Sequence, residues 1–474
     1  MMSISSLVQP RMSVCEPGQI EQIHAHSLRI LSQVGVRVDS ERASKLLAKA
    51  QGVRLDGSRV TILPEAVELA LKTAPSTIDI FNRLGELVFR LGSDTTRFGI
   101  GVTNLYYQDP LTDEVTLFTR KHMEIGTRLG EILPAYDLVS TIGIIRDVPE
   151  DTGDLYAVLE MTANTCKPLV ILVSDEKQFV PALDLLEHLH GDLAGKPFVI
   201  PYFNPVTPLI INRETADKML EAIARGLPVI YSNYGMAGAT TPITPAGTLA
   251  MMNAELLAGL VLSQLAREGA PIILGILPAF LDMRTMQEFY DPHSILLNAA
   301  CGEMLAYYNL PHAGTSGSGI GWSGDLPAAG MHWLNHITAC LGKTGLAPFV
   351  GGVLGSLVFS PTSIVNANEI IQQARRFTNG FTLDDASIGF DEIVAAGPGG
   401  SFLKAKSTRQ RFREAYYTSP IFPRLSLEKW EEQGRPQAGA YLKRYTQQLI
   451  AEAKPPEDHE AIVAKGEKYI QKRI

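Results

Sequence analysis

Cysteine is scarce in this chain. Its four cysteines, Cys15, Cys166, Cys301 and Cys340, are far apart and form no CxxC pair. That excludes a disulfide framework in a chain of 474 residues and points to a reducing compartment. Concentrated charge is also missing. The net charge is −8, with both signs scattered and no basic block to track a nucleic-acid backbone. The longest apolar run, residues 249–265, is interrupted by Asn253, Glu255, Ser263 and Gln264. It falls short of the ~20 apolar residues that span a bilayer. The opening MMSISSLVQPRMSVCEPG has no apolar signal-peptide core, so the expected location is the cytoplasm.

Several familiar motifs are absent. No GxGxxG follows a first strand. Gly397-Pro398-Gly399-Gly400 lacks the GKS/T of a phosphate loop and reads as a tight turn. Gly317-Ser318-Gly319 does not make the GxSxG elbow. His332 and His336 share a helix face, but Trp333 stands where a zinc protease carries glutamate, so no metal site is expected.

What is present is rhythm. Helical patterns open the chain: one over residues 19–33, one capped by Ser40, and one starting at Leu63-Pro64-Glu65. Residues 78–109 read as β-rich, punctuated by glycine. From about residue 135, seven strand-then-helix units follow in a row. Their strands are continuous apolar runs, which marks strands buried on both faces in a parallel sheet. One more strand, expected near residues 98–102, completes an eightfold pattern. The predicted fold is α/β, a (β/α)8 TIM barrel with an N-terminal helical extension and a C-terminal helical tail. A doubly wound open sheet is the competing architecture. Three units are expected: residues 1–130, a helical module and β-rich segment leading into the barrel; 131–425, the barrel; and 426–474, the tail.

Chemistry in such a barrel sits just past the strand ends. Those positions hold Asn204, Thr207, Asn233, Tyr234, Asp282, Arg284, Thr315, Ser316, Trp322, Phe359 and Ser360. The set is aromatic and polar with little charge. Aromatic faces and a carboxylate suit a quaternary ammonium ion through cation–π contacts of about 0.5–2 kcal/mol each. The alternative for Tyr231, Tyr234 and Phe359 is ordinary core packing. Asp282 is either an anionic pocket wall or the ion-pair partner of Arg284. Glu255 is either a satisfied polar residue between helices or a pocket carboxylate. The most distinctive stretch is LPVIYSNYGMAGATTPITPAGTLAMMNAELLAGLVLSQLAR, residues 227–267. There a strand runs through a loop of small residues into a long apolar helix, with Thr244-Pro245 as N-cap and first turn.

Over most of its length the chain resembles the trimethylamine methyltransferase (MttB) superfamily. The resemblance rests on the order and spacing of blocks: the stretch SLRILSQVGVRVDSERASKLLAKAQGVRLDG near the start, NTCKP, ATTPITPAGTLAMMNAELLAGLVLSQL, GAPIILG, LDMRT and AAGPGGSFL. It implies a barrel that moves a methyl group from an amine to the cobalt of a partner corrinoid protein docked over the barrel mouth. This chain has only standard residues, so it resembles the non-pyrrolysine branch, whose members demethylate glycine betaine and similar quaternary amines. Where many members read SDAKxxDxQAGxE, this chain reads SGSGIGWSGDLPAAGMHW over residues 316–333, and Trp322 is expected to fill the space of pyrrolysine. The resulting substrate-site candidates are Tyr106, Asn204, Tyr231, Tyr234, Asp282, Arg284, Trp322, His332 and Phe359. His332, Arg284 or Asn204 is the candidate donor to a betaine carboxylate. No catalytic residue is singled out. No cofactor is expected on this chain itself, since the corrinoid (cobalamin) acceptor belongs to the partner. A homodimer is compatible with the pattern. The rival readings are a demethylase of a sulfonium or methoxy donor and a betaine-binding protein without catalysis.

Overall fold

The computed structural model describes residues 6–92, 95–101, 103–315, 317–342 and 344–473. Eight parallel strands close into a barrel. They are β1 Arg97–Ile100, β2 Tyr136–Ser140, β3 Leu169–Ile171, β4 Val199–Phe203, β5 Val229–Ala237, β6 Ile272–Asp282, β7 His312–Ala313 and β8 Leu346–Val350. Each pairs with the next in chain order, and β8 returns to β1 with Ala347 opposite Phe98 and Val350 opposite Ile100. The helices after these strands are α1 Arg120–Ile132, α2 Gly153–Asn164, α3 Glu176–His190, α4 Arg213–Ala224, α5 Pro245–Ala266, α6 Pro292–Tyr307, α7 Leu326–Leu341 and α8 Pro361–Asn379. The strand sought near residues 98–102 is β1; Val102 lies outside the described residues. The first strand and most of its helix therefore precede residue 131.

The strands are apolar throughout because both faces are covered. Leu138, Val170, Ile200, Ile230, Ile273, Ala313 and Leu346 form one cluster inside the barrel. Val229, Tyr231, Ile272 and Leu274 belong to the larger outer core beneath the helices. An antiparallel hairpin, Ile78–Phe81 with Leu87–Leu91, adds Ile78, Ile80, Phe89 and Leu91 to the inner cluster. It closes the end where the strands begin. Its Phe81 N–H donates to the Pro197 carbonyl at 3.0 Å and its Arg83 N–H to the Cys166 carbonyl at 2.9 Å, just ahead of β4 and β3. The buried Arg83 guanidinium also grips Asp458 with two hydrogen bonds of 2.6 and 2.8 Å. That anchors the C-terminal helix His459–Gln471, which lies on α2.

Helix α5 is apolar on every side, the pattern of a helix buried all round. By length and composition it would span a membrane, yet 83% of its apolar window is buried within this chain. Its inner face lies on β5 and β6, and helices Pro17–Arg29 and Pro64–Thr73 cover the outer one. The opening helical module is thus the outer coat of α5. Several polar residues of α5 bond to this coat and its neighbours. Asn253 donates to Ser27 at 2.9 Å and Tyr308 at 2.8 Å, and Gln264 closes the helix end through the Ala270 carbonyl at 3.0 Å and the Gly269 N–H at 3.0 Å.

The tightest contact in this layer is Gly259 under the ring of Tyr231, where an added Cβ would sit 2.1 Å from the ring. Gly259→Ala gains up to ~1 kcal/mol of helix propensity but overpacks this layer at a cost of roughly 1–3 kcal/mol. Urea denaturation should therefore show a net loss of stability. A midpoint at or above that of the unsubstituted protein would show that the ring moves aside freely.

Candidate functional site

Alternation along the strands decides which residues see the barrel interior. On β5, Ile230 points inward, so Ser232 and Tyr234 do too, whereas Tyr231 and Asn233 face the helices. On β4, Ile200 and Tyr202 point inward. Gly275 of β6 lies against the Ser232 side chain, and Ser140 of β2 donates across the lumen wall to the Pro348 carbonyl at 2.7 Å.

At the open end these strands build an aromatic cup with one acid. The Tyr202 ring meets Phe349 edge-on at 5.1 Å, and Ser232 and Asn204 act on its hydroxyl. Strand β6 continues beyond the barrel, paired with β5 out to Ala237 and Phe280, then turns back as the strand Gln287–Phe289. This hairpin carries Glu288 and Tyr290 over the mouth. The Tyr234 hydroxyl donates to the Glu288 carboxylate, and Tyr290 acts on the same hydroxyl. Burial pushes the Tyr202 phenol up to about 12 and raises those of Tyr234 and Tyr290 further, so all three are neutral. Burial also lifts the Glu288 carboxyl above its ordinary value, partly opposed by the Tyr234 hydroxyl. Among the described residues no lysine or arginine acts on that carboxylate. A half-buried acid without a cation beside neutral aromatics has the chemistry to hold a small organic cation.

The sequence-predicted residues distribute around this cup. Tyr234 lies in it, and Asn204 touches it through Tyr202. Tyr231 is fully buried beneath α5 because it is one residue out of phase with the lumen. Asp282 and Arg284 form the tip of the β6 hairpin. The Asp282 carboxylate accepts from the Arg284 N–H at 2.8 Å and the Thr285 hydroxyl at 3.0 Å, so it shapes a turn and is neither a pocket wall nor an ion pair. The acid of the cup is Glu288 instead. Trp322 is exposed on the loop between β7 and α7, where its carbonyl accepts from Gln108, and it fills no lumen space. Tyr106 lies on a small rim sheet, pairing with Val358 and Leu117. Phe359 is buried against Tyr107, Phe118 and the Gly126 position of α1. His332 is fully buried between α7 and the barrel wall, edge-on to His336, which in turn meets the outward-facing Phe98. Neither of its ring nitrogens has a hydrogen-bond partner among the described residues. Ser316 lies outside the described residues. Among the described residues no cluster of three or more metal-binding side chains occurs.

Sequence reasoning missed Tyr202, Phe349, Glu288 and Tyr290. Tyr202 stands two residues after the inward Ile200, a signal that strand alternation carries. Glu288 and Tyr290 belong to the hairpin's return strand, which no strand-end rule reaches.

Glu255 is the satisfied buried residue of the two alternatives. It lies on α5, 2% exposed, and accepts from the Thr207 hydroxyl at 2.9 Å, the Leu209 N–H at 2.5 Å and the Asn233 amide at 2.7 Å. It thereby ties the loop after β4 to the end of β5, directly behind Asn204 and Tyr234. The NTCKP block serves the closed end: the Lys167 ammonium donates to the carbonyls of Gly130 at 2.7 Å and Tyr136 at 2.8 Å.

Fold and site together define a (β/α)8 barrel with an aromatic and acidic cup at its C-terminal mouth. The description of the trimethylamine methyltransferase (MTTB) family matches residues 3–474, and the chain belongs to that family. It is 25% identical over 471 residues to the glycine betaine methyltransferase of Desulfitobacterium hafniense strain Y51, covering 98% of both chains. It is 27% identical to the trimethylamine methyltransferase MttB of Desulfitobacterium hafniense strain DCB-2, covering 92% of this chain and 87% of that one. It is 25% identical to the proline betaine:corrinoid methyltransferase of Eubacterium limosum, covering 85% and 86%.

The Glu255 clamp makes a prediction with a definite sign. Burial holds its carboxyl above the ordinary value of 4.5 despite three donors. Its contribution to stability is therefore full below that value and is lost as pH rises through the folded-state value. Glu255→Gln should flatten this dependence, and Glu255→Ala should cost about 2–4 kcal/mol by stranding buried donors. Urea unfolding at about pH 5 and about pH 8 reads both effects. Equal pH slopes in the unsubstituted protein and Glu255→Gln would refute the assignment.

Proposed function

We propose that this barrel takes a methyl group from a small quaternary amine of the glycine betaine kind and passes it to the Co(I) of a corrinoid protein. The observation that carries this reading is the cup of Tyr202, Tyr234, Tyr290 and Phe349 closed by Glu288, an acid with no cationic partner among the described residues. In the reaction the electron pair of Co(I) forms the new Co–CH3 bond. The C–N bond pair stays with nitrogen, which leaves as a neutral tertiary amine. No proton is needed, which matches a cup of neutral phenols.

Positive charge on nitrogen fades along this path, so Glu288 holds the substrate more than the transition state. Its role is to select and seat the cation with one methyl group pointing out of the mouth. Rate then comes from in-line positioning, and half-buried surroundings favour loss of the charge. A second feature supports a macromolecular acceptor. Ile243, Met283, Met286, Trp322 and Leu326 are all largely exposed, and they stand on successive loops around the mouth. An apolar rim of this kind suits a protein docking over the opening.

Purified protein, the Co(I) form of a corrinoid protein and glycine betaine, proline betaine or carnitine should give the methyl-Co(III) spectrum. Silence with a broad panel of methylated amines would end this reading. Activity confined to sulfonium or methoxy donors would move it to another donor class, and tight binding without methyl loss would make the protein a betaine receptor. Glu288→Gln should raise KM roughly 10–100-fold with little change in kcat, the signature of lost ground-state binding. Affinity should also fall as pH drops through the Glu288 value, which burial places above 4.5. An unaltered KM in the variant would remove Glu288 from the site.

A further inference from the structure

His332 and His336 stand one turn apart on α7, and both are 0% exposed. Neither nitrogen of either ring has a hydrogen-bond partner among the described residues. No other described histidine has both ring nitrogens buried and unpartnered. Asn335, on the same face of the helix, leaves its Oδ1 buried and unpartnered as well. A polar group taken out of water without a partner costs stability, and folded proteins rarely leave several together. Burial pushes the His332 imidazole down to about 4 and holds that of His336 well below its usual value. Both rings are therefore neutral, and each offers a lone pair.

The spacing of the two rings is that of a pair sharing a metal ion. Zinc lies about 2.1 Å from an imidazole nitrogen, hence about 3.2 Å from the ring centroid, and a tetrahedral angle then sets two centroids ~5.2 Å apart. The centroids of His332 and His336 are 5.4 Å apart, with the ring planes at 69°. Neutral imidazoles and an amide oxygen suit a divalent transition-metal ion. Asp325, the N-cap of α7, supplies negative charge nearby: it acts on His332 through space while its oxygens accept from the N–H groups of Trp322 and Ala328. The glycine loop after β7 covers the pair. A Cβ at Gly317, which has a φ of 97°, would lie 3.3 Å from the Asn335 amide nitrogen and 3.3 Å from Cε1 of His336. Two residues on, a Cβ at Gly319 would lie 2.9 Å from the Tyr290 ring. This loop is a thin wall between the histidine pair and the cup.

We propose that His332 and His336, with the Asn335 amide oxygen, hold a structural divalent metal ion of the zinc class, and that the ion fastens the glycine loop of residues 317–321 to α7. The loop backbone beside His336 is the nearest source of the remaining ligand. A structural ion needs no glutamate next to its histidines, so Trp333 is no obstacle. The site is independent of the methyl-transfer reading: the ion takes no part in that reaction and steadies the wall behind Tyr290.

The full chain, stripped with a chelator and dialysed against micromolar Zn2+, should bind one ion per chain. X-ray absorption at the zinc edge should show two imidazoles and oxygen in the first shell. Co2+ in place of zinc should give the visible spectrum of a four-coordinate site. His332→Gln and His336→Gln should each weaken zinc binding more than roughly 100-fold, since even groups one shell further out are worth about 10–100-fold. His26→Gln and His293→Gln, at exposed positions, should leave it unchanged. A chain that takes up no zinc at micromolar concentration, or a first shell with fewer than two imidazoles, would overturn the inference. So would stoichiometric binding retained when His332→Gln and His336→Gln are combined, which would mark surface binding only. The imidazole count is read on the unsubstituted protein, so it decides the matter even where a substitution at these buried positions prevents folding.

Discussion

The structure depends on the closure of β8 against β1. Until Ala347 and Val350 pair with Phe98 and Ile100, the sheet has two edges and no interior. Once it closes, every strand acquires an inside and an outside, and alternation sorts side chains between them. The inward set makes the apolar floor at one end and the aromatic cup at the other. The outward set needs a complete ring of helices, and α5 in turn needs its own coat.

That hierarchy explains what could be read from the sequence. The β/α rhythm was legible because strands buried on both faces are uninterrupted apolar runs and each is followed by a helical period. The Ser40 cap and the helix start at Pro64 were legible because helix starts are local, and both appear where expected. The small-residue loop and long helix after Tyr234 were legible for the same reason. Which side chain faces the lumen was much harder to see. Tyr231 and Tyr234 look equivalent in sequence, yet an odd spacing puts one under α5 and the other in the cup. His332 sits near the start of the helix after a strand end, but its helical phase turns it toward the outer wall. Glu288 and Tyr290 depend on a hairpin whose length is set by pairing with β5, a contact absent from any local pattern.

The polar residues of α5 show how the layers are coordinated. Asn253 and Glu255 lie two apart on one helix and point to opposite sides. Asn253 binds the coat through Ser27, and Glu255 binds the strand-end loops through Leu209 and Asn233. A helix that would pass for a membrane span by composition thus serves as a joint between the opening module and the mouth. The opening helices, remote from the cup in sequence, hold the backbone on which Asn204 and Tyr234 stand.

The hairpin that stops the barrel at the beginning of its strands has a consequence for the order of events. With Ile78, Ile80, Phe89 and Leu91 packed into that end, the described residues leave the lumen to be entered from its other end, the mouth. On the proposed function, the small molecule and whatever receives its methyl group use that mouth in turn. On that reading the donor is seated before the receiver covers the entrance, and the stripped amine leaves after the receiver departs. A compulsory sequence of arrivals and departures is thereby written into the architecture, with no moving gate required to enforce it.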